Sequence, residues 1–200
     1  MDLFTSNSLQ NILPFEGKVL NYGIILTNDN CQYYFKKFLN SDFWKHDELI
    51  LFGKQIRTKR KVAWFGDENI AYSYSNTKKI GLDWTPEILK LKRLVELKTG
   101  ENFNSCLLNL YHNGDEGMSW HSDNEKELGV NPIIASLSFG ATRKFLLKHK
   151  VTKQKVAVQL QSGDLLVMKG ETQHKWIHSL PKTKKVKTPR INLTFRNIIK

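Results

Sequence analysis

The segment Arg190-Ile-Asn-Leu-Thr-Phe-Arg196 restricts what this chain can fold into more than any other. Side chains of an extended strand alternate between two faces, so Arg190, Asn192, Thr194 and Arg196 share one face while Ile191, Leu193 and Phe195 share the other. Such a strand lays its apolar face on a core and turns its arginines toward something anionic. Arginine stays protonated, and its planar fork grips a carboxylate through two parallel hydrogen bonds. A small dianion, such as a 2-oxo dicarboxylate, suits a face with two of them. A surface strand with solvated arginines would alternate in the same way, so a second signal has to decide.

That signal lies upstream, in His121-Ser-Asp123 and the later His178. If residues 121–123 are extended, His121 and Asp123 point to one side and can share a metal ion that His178 completes. Two imidazoles and one carboxylate on one face, with positions left open, are the ligand set of non-haem Fe(II) oxygenases. His-x-Asp alone is common by chance; followed by a second histidine and the arginine strand, it marks a metal held beside a co-substrate. His174, four residues before His178, imitates a zinc pair on a helix, but Val167-Met-Lys-Gly170 and the turn residues around it argue against a helix there. His46, His112 and His149 read as surface or hydrogen-bonded groups.

With these residues in view, the chain resembles the AlkB family of Fe(II)- and 2-oxoglutarate-dependent nucleic-acid demethylases. The matching stretches are Asn109-Leu-Tyr-His-Asn-Gly114, His121 to Glu125, Ala135-Ser-Leu-Ser-Phe-Gly140, His178-Ser-Leu-Pro181 and Arg190 to Arg196. Phe52-Gly-Lys54, Arg60-Lys61 and Gly66-Asp67 place it nearest the animal members that repair duplex DNA, although Gln55-Ile-Arg-Thr58 departs from an aromatic-containing stretch of their finger. The resemblance implies Fe(II) held by His121, Asp123 and His178, with 2-oxoglutarate and O2 as co-substrates. Arg190 would meet the distal carboxylate of 2-oxoglutarate and Arg196 the end bearing the 1-carboxylate, with Asn109, Tyr111 and Asn192 adding hydrogen bonds. Glu125 would meet the exocyclic amino group of a damaged base, Tyr74 would stack on that base, and Tyr72 would hydrogen-bond nearby. Phe52 is the candidate wedge that fills the gap left by a displaced nucleotide, and Arg60 belongs to the substrate side. The expected reaction hydroxylates an N-linked alkyl carbon, after which the hemiaminal releases formaldehyde and leaves an unmodified base. Expected substrates are 1-methyladenine and 3-methylcytosine, in double- or single-stranded DNA or in RNA. Two rivals stay open: a hydroxylase of a protein or small molecule with the same core, and a non-catalytic nucleic-acid-binding module.

Charge agrees with a phosphate-rich partner. Thirty-one lysines and arginines against nineteen acids give a net charge of +12, enough to favour a polyanion and to make that binding salt-sensitive. The charges cluster at Arg57 to Lys61, at Lys148 to Lys155 and at Lys182 to Lys187, the last read as a mobile basic loop. No apolar run approaches the roughly 20 residues that span a bilayer, so no membrane partner is expected. Met1-Asp-Leu-Phe4 lacks the basic start of a secretory signal, and Cys31 and Cys106 form neither a disulfide framework nor a zinc cluster. A monomer inside the cell is the expectation, in the nucleus of a eukaryote or the cytoplasm of a bacterium.

The expected fold is α+β, mainly β: a double-stranded β-helix, or jelly roll, in one domain spanning residues 1–200. Residues 1–104 would form N-terminal helices and a nucleotide-recognition lid, and residues 105–200 the dioxygenase core. Asp29 to Leu39 reads as a helix with Tyr34, Phe35 and Phe38 for packing. Thr85-Pro86 starts a second one, whose apolar face is Ile88, Leu91, Leu94 and Val95 and which Gly100 ends. From Ser105 onward short apolar runs alternate with turn signals, as strands do.

Overall fold

A computed structural model of the chain describes residues 9–51, 54–68, 71–74 and 77–199, with the backbone alone at 47, 49–51, 54–56, 71–74 and 77–80. In chain order the elements are β1 (Lys18–Ile24), α1 (Asn28–Leu39), β2 (Lys45–Leu51), β3 (Lys54–Gly66), β4 (Ala71–Tyr74), β5 (Thr77–Ile80) and α2 (Pro86–Thr99). There follow β6 (Ser105–Tyr111), β7 (Met118–His121), β8 (Ile134–Gly140), β9 (Arg143–His149), β10 (Lys155–Leu160), β11 (Asp164–Lys169), α3 (Thr172–Lys175), β12 (Trp176–Leu180) and β13 (Arg190–Arg196).

Two antiparallel sheets face one another. The larger has seven strands in the order β1-β11-β8-β13-β6-β3-β2, the smaller four in the order β10-β9-β12-β7, and β4 and β5 form a separate hairpin. The long-range pairing, with β13 between β6 and β8, is the jelly-roll arrangement expected from the sequence. Helices α1 and α2 begin where their caps dictate. The hydroxyl oxygens of Thr27 and Thr85 accept the N–H groups of Asn30 and Ile88, each at 3.3 Å, and α2 closes at Gly100, whose left-handed φ of 72° costs a residue without Cβ little. Their apolar faces, Cys31 and Phe38 on α1 and Ile88, Leu91 and Val95 on α2, pack on Leu108, Leu137, Phe139, Ile191, Leu193 and Phe195 of the larger sheet. A second core between the sheets gathers Val19, Ile134, Leu147, Leu166, Met168 and Trp176. The molecule therefore has three layers, and the inner faces of the two sheets leave a cavity between them.

The first half of the chain differs from the helical reading. Three of its strands, β1, β2 and β3, join the larger sheet, β3 pairing with β6 from Lys61↔Leu110 to Gly66↔Ser105. Val62, Ala63, Trp64 and Phe65 are all buried, because helices cover one face of the sheet and the smaller sheet covers the other. A strand buried on both faces has no alternation for a sequence pattern to reveal. The basic segment 182–187 differs too. It is tied down: the Gly114 N–H donates to the Val186 carbonyl and the Thr183 N–H to the Gly114 carbonyl, each at 2.8 Å, and Arg143 Nη2 donates to the Pro181 carbonyl at 2.9 Å. Gly114 is required there, since a Cβ would run into the Thr183 carbonyl oxygen. Among the described residues no helix is long and apolar enough to cross a membrane.

Candidate metal and co-substrate site

Strand β13 keeps the alternation read from its sequence. Arg190, Asn192, Thr194 and Arg196 line a cavity of about 230 Å³ between the sheets, while Ile191, Leu193 and Phe195 are sealed in the core behind them. Next to it on β6, Asn109 and Tyr111 line the same cavity, and Leu108 and Leu110 lie in the core. The register pairs Arg190 with Tyr111 and Asn192 with Asn109, so these four side chains form one patch. Hydrogen bonds hold it rigid. Arg190 Nη2 donates to Ser138 Oγ and to Asn192 Oδ1, both at 2.9 Å; Ser136 Oγ donates to Asn192 Oδ1 at 2.9 Å, and Asn192 Nδ2 to Thr194 Oγ1 at 2.8 Å.

The smaller sheet supplies the other wall. His121 ends β7 and His178 lies opposite it on β12, directly paired, with ring centroids 4.2 Å apart. Ligand atoms of His121, Asp123 and His178 all lie within 4.8 Å of one another. His121 Nδ1 lies 2.8 Å from the Ser119 carbonyl, which fixes the ring and directs Nε2 inward, toward Asp123 Oδ1 at 3.8 Å. Burial, followed by the nearby His121, lowers the pKa of His178 to about 3, so its imidazole is neutral and free to act as a ligand. Burial opposes ionisation of Asp123, but Arg196 and the two histidines outweigh it and hold that carboxyl below its ordinary value.

Asp123 reaches the site differently from what alternation predicts. The strand stops at His121, and Asp123 lies on irregular backbone beyond it. Two long-range contacts seat it: Gln173 Oε1 accepts the Asp123 N–H at 2.8 Å, and Arg196 Nη2 donates to Asp123 Oδ2 at 3.0 Å. Arg196 thus stands beside the cavity as expected, already engaged with the carboxylate. Gln173 carried no signal in the sequence, being fifty positions from its partner. It sits on α3, a single helical turn where none was expected. The turn also carries His174, which is exposed, so the His174/His178 pair is split between two elements and forms no zinc site. His149 is buried and hydrogen-bonded to Glu16 at 2.7 Å, as a structural histidine.

Among the residues expected on the substrate side, Glu125 lines the cavity with Oε2 buried and without a hydrogen-bond partner among the described residues. Arg60, read as part of a basic cluster, is buried, lines the cavity and approaches Met118 Sδ at 3.2 Å, whereas Arg57 and Lys59 on the same strand are exposed. Tyr72 and Tyr74 belong to β4 of the separate hairpin; their side chains and the whole of Phe52 lie outside the described residues.

The 2OG-Fe(II) oxygenase superfamily matches residues 19–196. The chain belongs to that superfamily. Within it the chain groups with the AlkB homologues. It is 42% identical over 165 residues to alpha-ketoglutarate-dependent dioxygenase alkB homolog 3 of Bos taurus, covering 78% of this chain and 57% of that protein. To the DNA oxidative demethylase ALKBH2 of Bos taurus it is 40% identical over 157 residues, covering 74% and 56%, and to that of Mus musculus 39% over 160 residues, covering 76% and 67%. The chain thus spans little more than half the length of most of the curated relatives it matches. The solved structure of OsALKBH1 shares the fold at a TM-score of 0.62 and 16% identity, over 92% of this chain and 99% of that one.

A 2OG-Fe(II) oxygenase uses the two groups in its name, and the residues here fit both. The borderline imidazoles and the carboxylate suit Fe(II), and three protein ligands would leave it further coordination positions. Arg190 Nε, a buried donor on the cavity wall, has no hydrogen-bond partner among the described residues. Burial lowers the pKa of Arg190 to about 10, still leaving a full positive charge at neutral pH, and a buried charge of this kind calls for an anion.

Proposed function

We propose that this oxygenase demethylates N-alkylated bases of nucleic acid, with 1-methyladenine and 3-methylcytosine in DNA as its substrates. The observation that carries the reading is Glu125. Its carboxylate has a buried oxygen without a hydrogen-bond partner among the described residues in the cavity that holds the metal triad, and a buried carboxylate oxygen in that position asks for a donor, a positive charge or both. Both alkylated bases present an exocyclic amino group and a positive charge on the same edge. The net charge of +12 supports a polyanionic partner, as do the names of the relatives.

Fe(II) with 2-oxoglutarate and O2 supplies the oxidation that places a hydroxyl on the alkyl carbon, with succinate and CO2 as co-products. The chain does the positioning. His121, Asp123 and His178 would hold the metal. Arg190 would grip the distal carboxylate of the co-substrate, with Asn109, Tyr111 and Asn192 hydrogen-bonding alongside, and Arg196 would keep Asp123 aligned while bordering the other end. Val62, Leu107, Met118, Phe145 and Leu180 line the remaining wall and exclude water. Glu125 would orient the base so that its alkyl group faces the metal. The hydroxylated carbon is a hemiaminal, which breaks its C–N bond to give formaldehyde and the restored base. The base must leave its stack to enter, at a cost of a few kcal/mol that is smallest where alkylation has already broken pairing.

The test is mass spectrometry of matched single- and double-stranded oligonucleotides, DNA and RNA, each carrying 3-methylcytosine, incubated with the protein, Fe(II), 2-oxoglutarate and air. Loss of one methylene mass with stoichiometric succinate is expected for the wild type. Glu125→Ala should lose demethylation while still forming some succinate. No change in any oligonucleotide under conditions where succinate forms would overturn the proposal.

A further inference from the structure

Asp123 is the one metal ligand without a regular element beneath it, yet it is 4% exposed and aligned with two histidines. Something other than a strand ladder must fix its backbone. The contacts around it come from two places distant in sequence. Gln173, 0% exposed on the single turn of α3, accepts the Asp123 N–H through Oε1 at 2.8 Å, and its Nε2 approaches Met168 Sδ at 3.6 Å, which fixes the amide orientation. Lys150, at the end of β9, donates through Nζ to the Gln173 carbonyl at 2.9 Å and lies 3.4 Å from Ser122 Oγ, the residue between the two ligands. The Lys150 N–H also donates to the Lys175 carbonyl at 2.8 Å, so the β9 end and α3 are joined through backbone and side chain. Immediately after α3 comes β12, which carries His178.

We infer that Gln173 is a positioning residue for the metal centre, acting through the Asp123 backbone, with Lys150 as its brace. Arg196 orients the carboxylate, but a salt bridge at Oδ2 leaves the main chain free to pivot. Gln173 removes that freedom. Because α3 runs directly into β12, the same turn spaces Asp123 against His178, so two ligands from separate parts of the chain are set by one short element. Removing such supports around metal ligands typically lowers metal affinity by about 10–100-fold. The inference concerns the metal centre alone and stands whichever substrate the site accepts.

The experiment measures Mn(II) affinity of the full chain by electron paramagnetic resonance, with no turnover involved. Gln173→Met keeps length and burial but removes the acceptor, and should bind Mn(II) about 10–100-fold more weakly than the wild type. Gln173→Glu restores an acceptor oxygen and should recover most of that loss. Ile88→Ala, on α2 and remote from the site, supplies a control destabilised through the core, which should bind Mn(II) as the wild type does. Wild-type affinity in Gln173→Met, or Gln173→Glu as weak as Gln173→Met, overturns the inference. Should Gln173→Met fail to fold, Lys150→Met decides, since that side chain is only partly buried: a several-fold loss supports the brace, and wild-type affinity overturns it.

Discussion

Arg190 and Asn192 reach the cavity from a strand hydrogen-bonded on both edges, whereas Asp123 reaches it from backbone that has already left its sheet. The wall proposed to hold the co-substrate is thus placed by ladder geometry: once β13 is paired with β6 and β8, alternation decides which side chains face inward. The metal wall is placed by side chains. His121 and His178 face each other across an edge pair, and Asp123 depends on Gln173 and Arg196. A ladder tolerates the loss of one side chain, because the backbone still aims its neighbours. A ligand held by side-chain contacts does not share that tolerance. The two walls should therefore fail in different ways when single residues are removed.

The largest effect is expected on the metal wall. Asp123→Ala or His178→Ala leaves two ligands, and succinate formation with added Fe(II) should fall below detection; a chelator should do the same to the wild type. On the co-substrate wall, Arg190→Met should leave metal affinity near the wild-type value and raise the apparent KM for 2-oxoglutarate. Truncating one side of a buried charge pair costs roughly 2–5 kcal/mol, so an increase on the order of 100-fold is expected. The same variant should be no less stable without ligand, because it removes a buried charge that has no anionic partner among the described residues. Initial rates over a 2-oxoglutarate series, together with thermal midpoints of the unliganded protein, check both halves. A large loss of Mn(II) affinity in Arg190→Met would break the division between the walls.

This division also explains what could be read from residues alone. The strand Arg190–Arg196 was legible because alternation is a local property of a strand with unlike faces, whereas Asn109 and Tyr111 were picked out by the resemblance. Helices α1 and α2 were legible to within a residue or so, α2 because Thr85 and Gly100 write its ends into the sequence, whereas the single turn of α3 was not. The metal ligands were recognisable by residue type and order, but the reason offered for Asp123, a continuing strand, does not hold. Its seat depends on Gln173 and Arg196, partners that local pattern cannot connect to it. The end of strand β3, residues 62–65, was hidden by its burial on both faces. The basic segment 182–187 looked mobile because its composition is that of a solvated loop, while its restraint comes from Gly114 and Arg143 elsewhere in the chain.

A smaller effect separates the walls by pH. His178 is buried and neutral, with a pKa depressed to about 3 from an ordinary 6.5, chiefly by burial. Between those values the unfolded chain binds a proton at this position that the folded one does not, so the stability of the metal-free protein should rise with pH across that window and fall on acidification. From pH 6.5 to 5 the single group contributes a loss of about 1–2 kcal/mol. Asp123 contributes the same sign only nearer its own range, because its unfolded reference value is 3.8 and its folded one lower. Urea midpoints of the metal-free wild type and of His178→Gln over pH 5 to 7.5 isolate the effect: the substitution should flatten the slope. Equal slopes would mean that His178 is charged or solvent-reached in the metal-free protein.

The smallest expected effect lies outside both walls and tests whether side-chain anchoring extends to the basic rim. Gly114 packs so closely against residues 183–186 that an added Cβ would overlap the Thr183 carbonyl oxygen and come within 3.0 Å of the Val186 carbonyl oxygen. Gly114→Ala must push that segment outward, at roughly 1–3 kcal/mol for overpacking. Two backbone hydrogen bonds would be strained or lost, but Arg143 would still hold the Pro181 carbonyl, so the displacement should stay within the loop. Trypsin should then cut faster after Lys182, Lys184, Lys185 or Lys187, while the KM for 2-oxoglutarate stays within about twofold, because surface changes away from a site act within about 0.5 kcal/mol. Unchanged cleavage would mean that Gly114 does not restrain the loop. A large rise in KM would mean that the loop and the β13 wall are one mechanical unit, since Pro189 leads directly into Arg190 and its carbonyl accepts the Ala141 N–H at 2.9 Å.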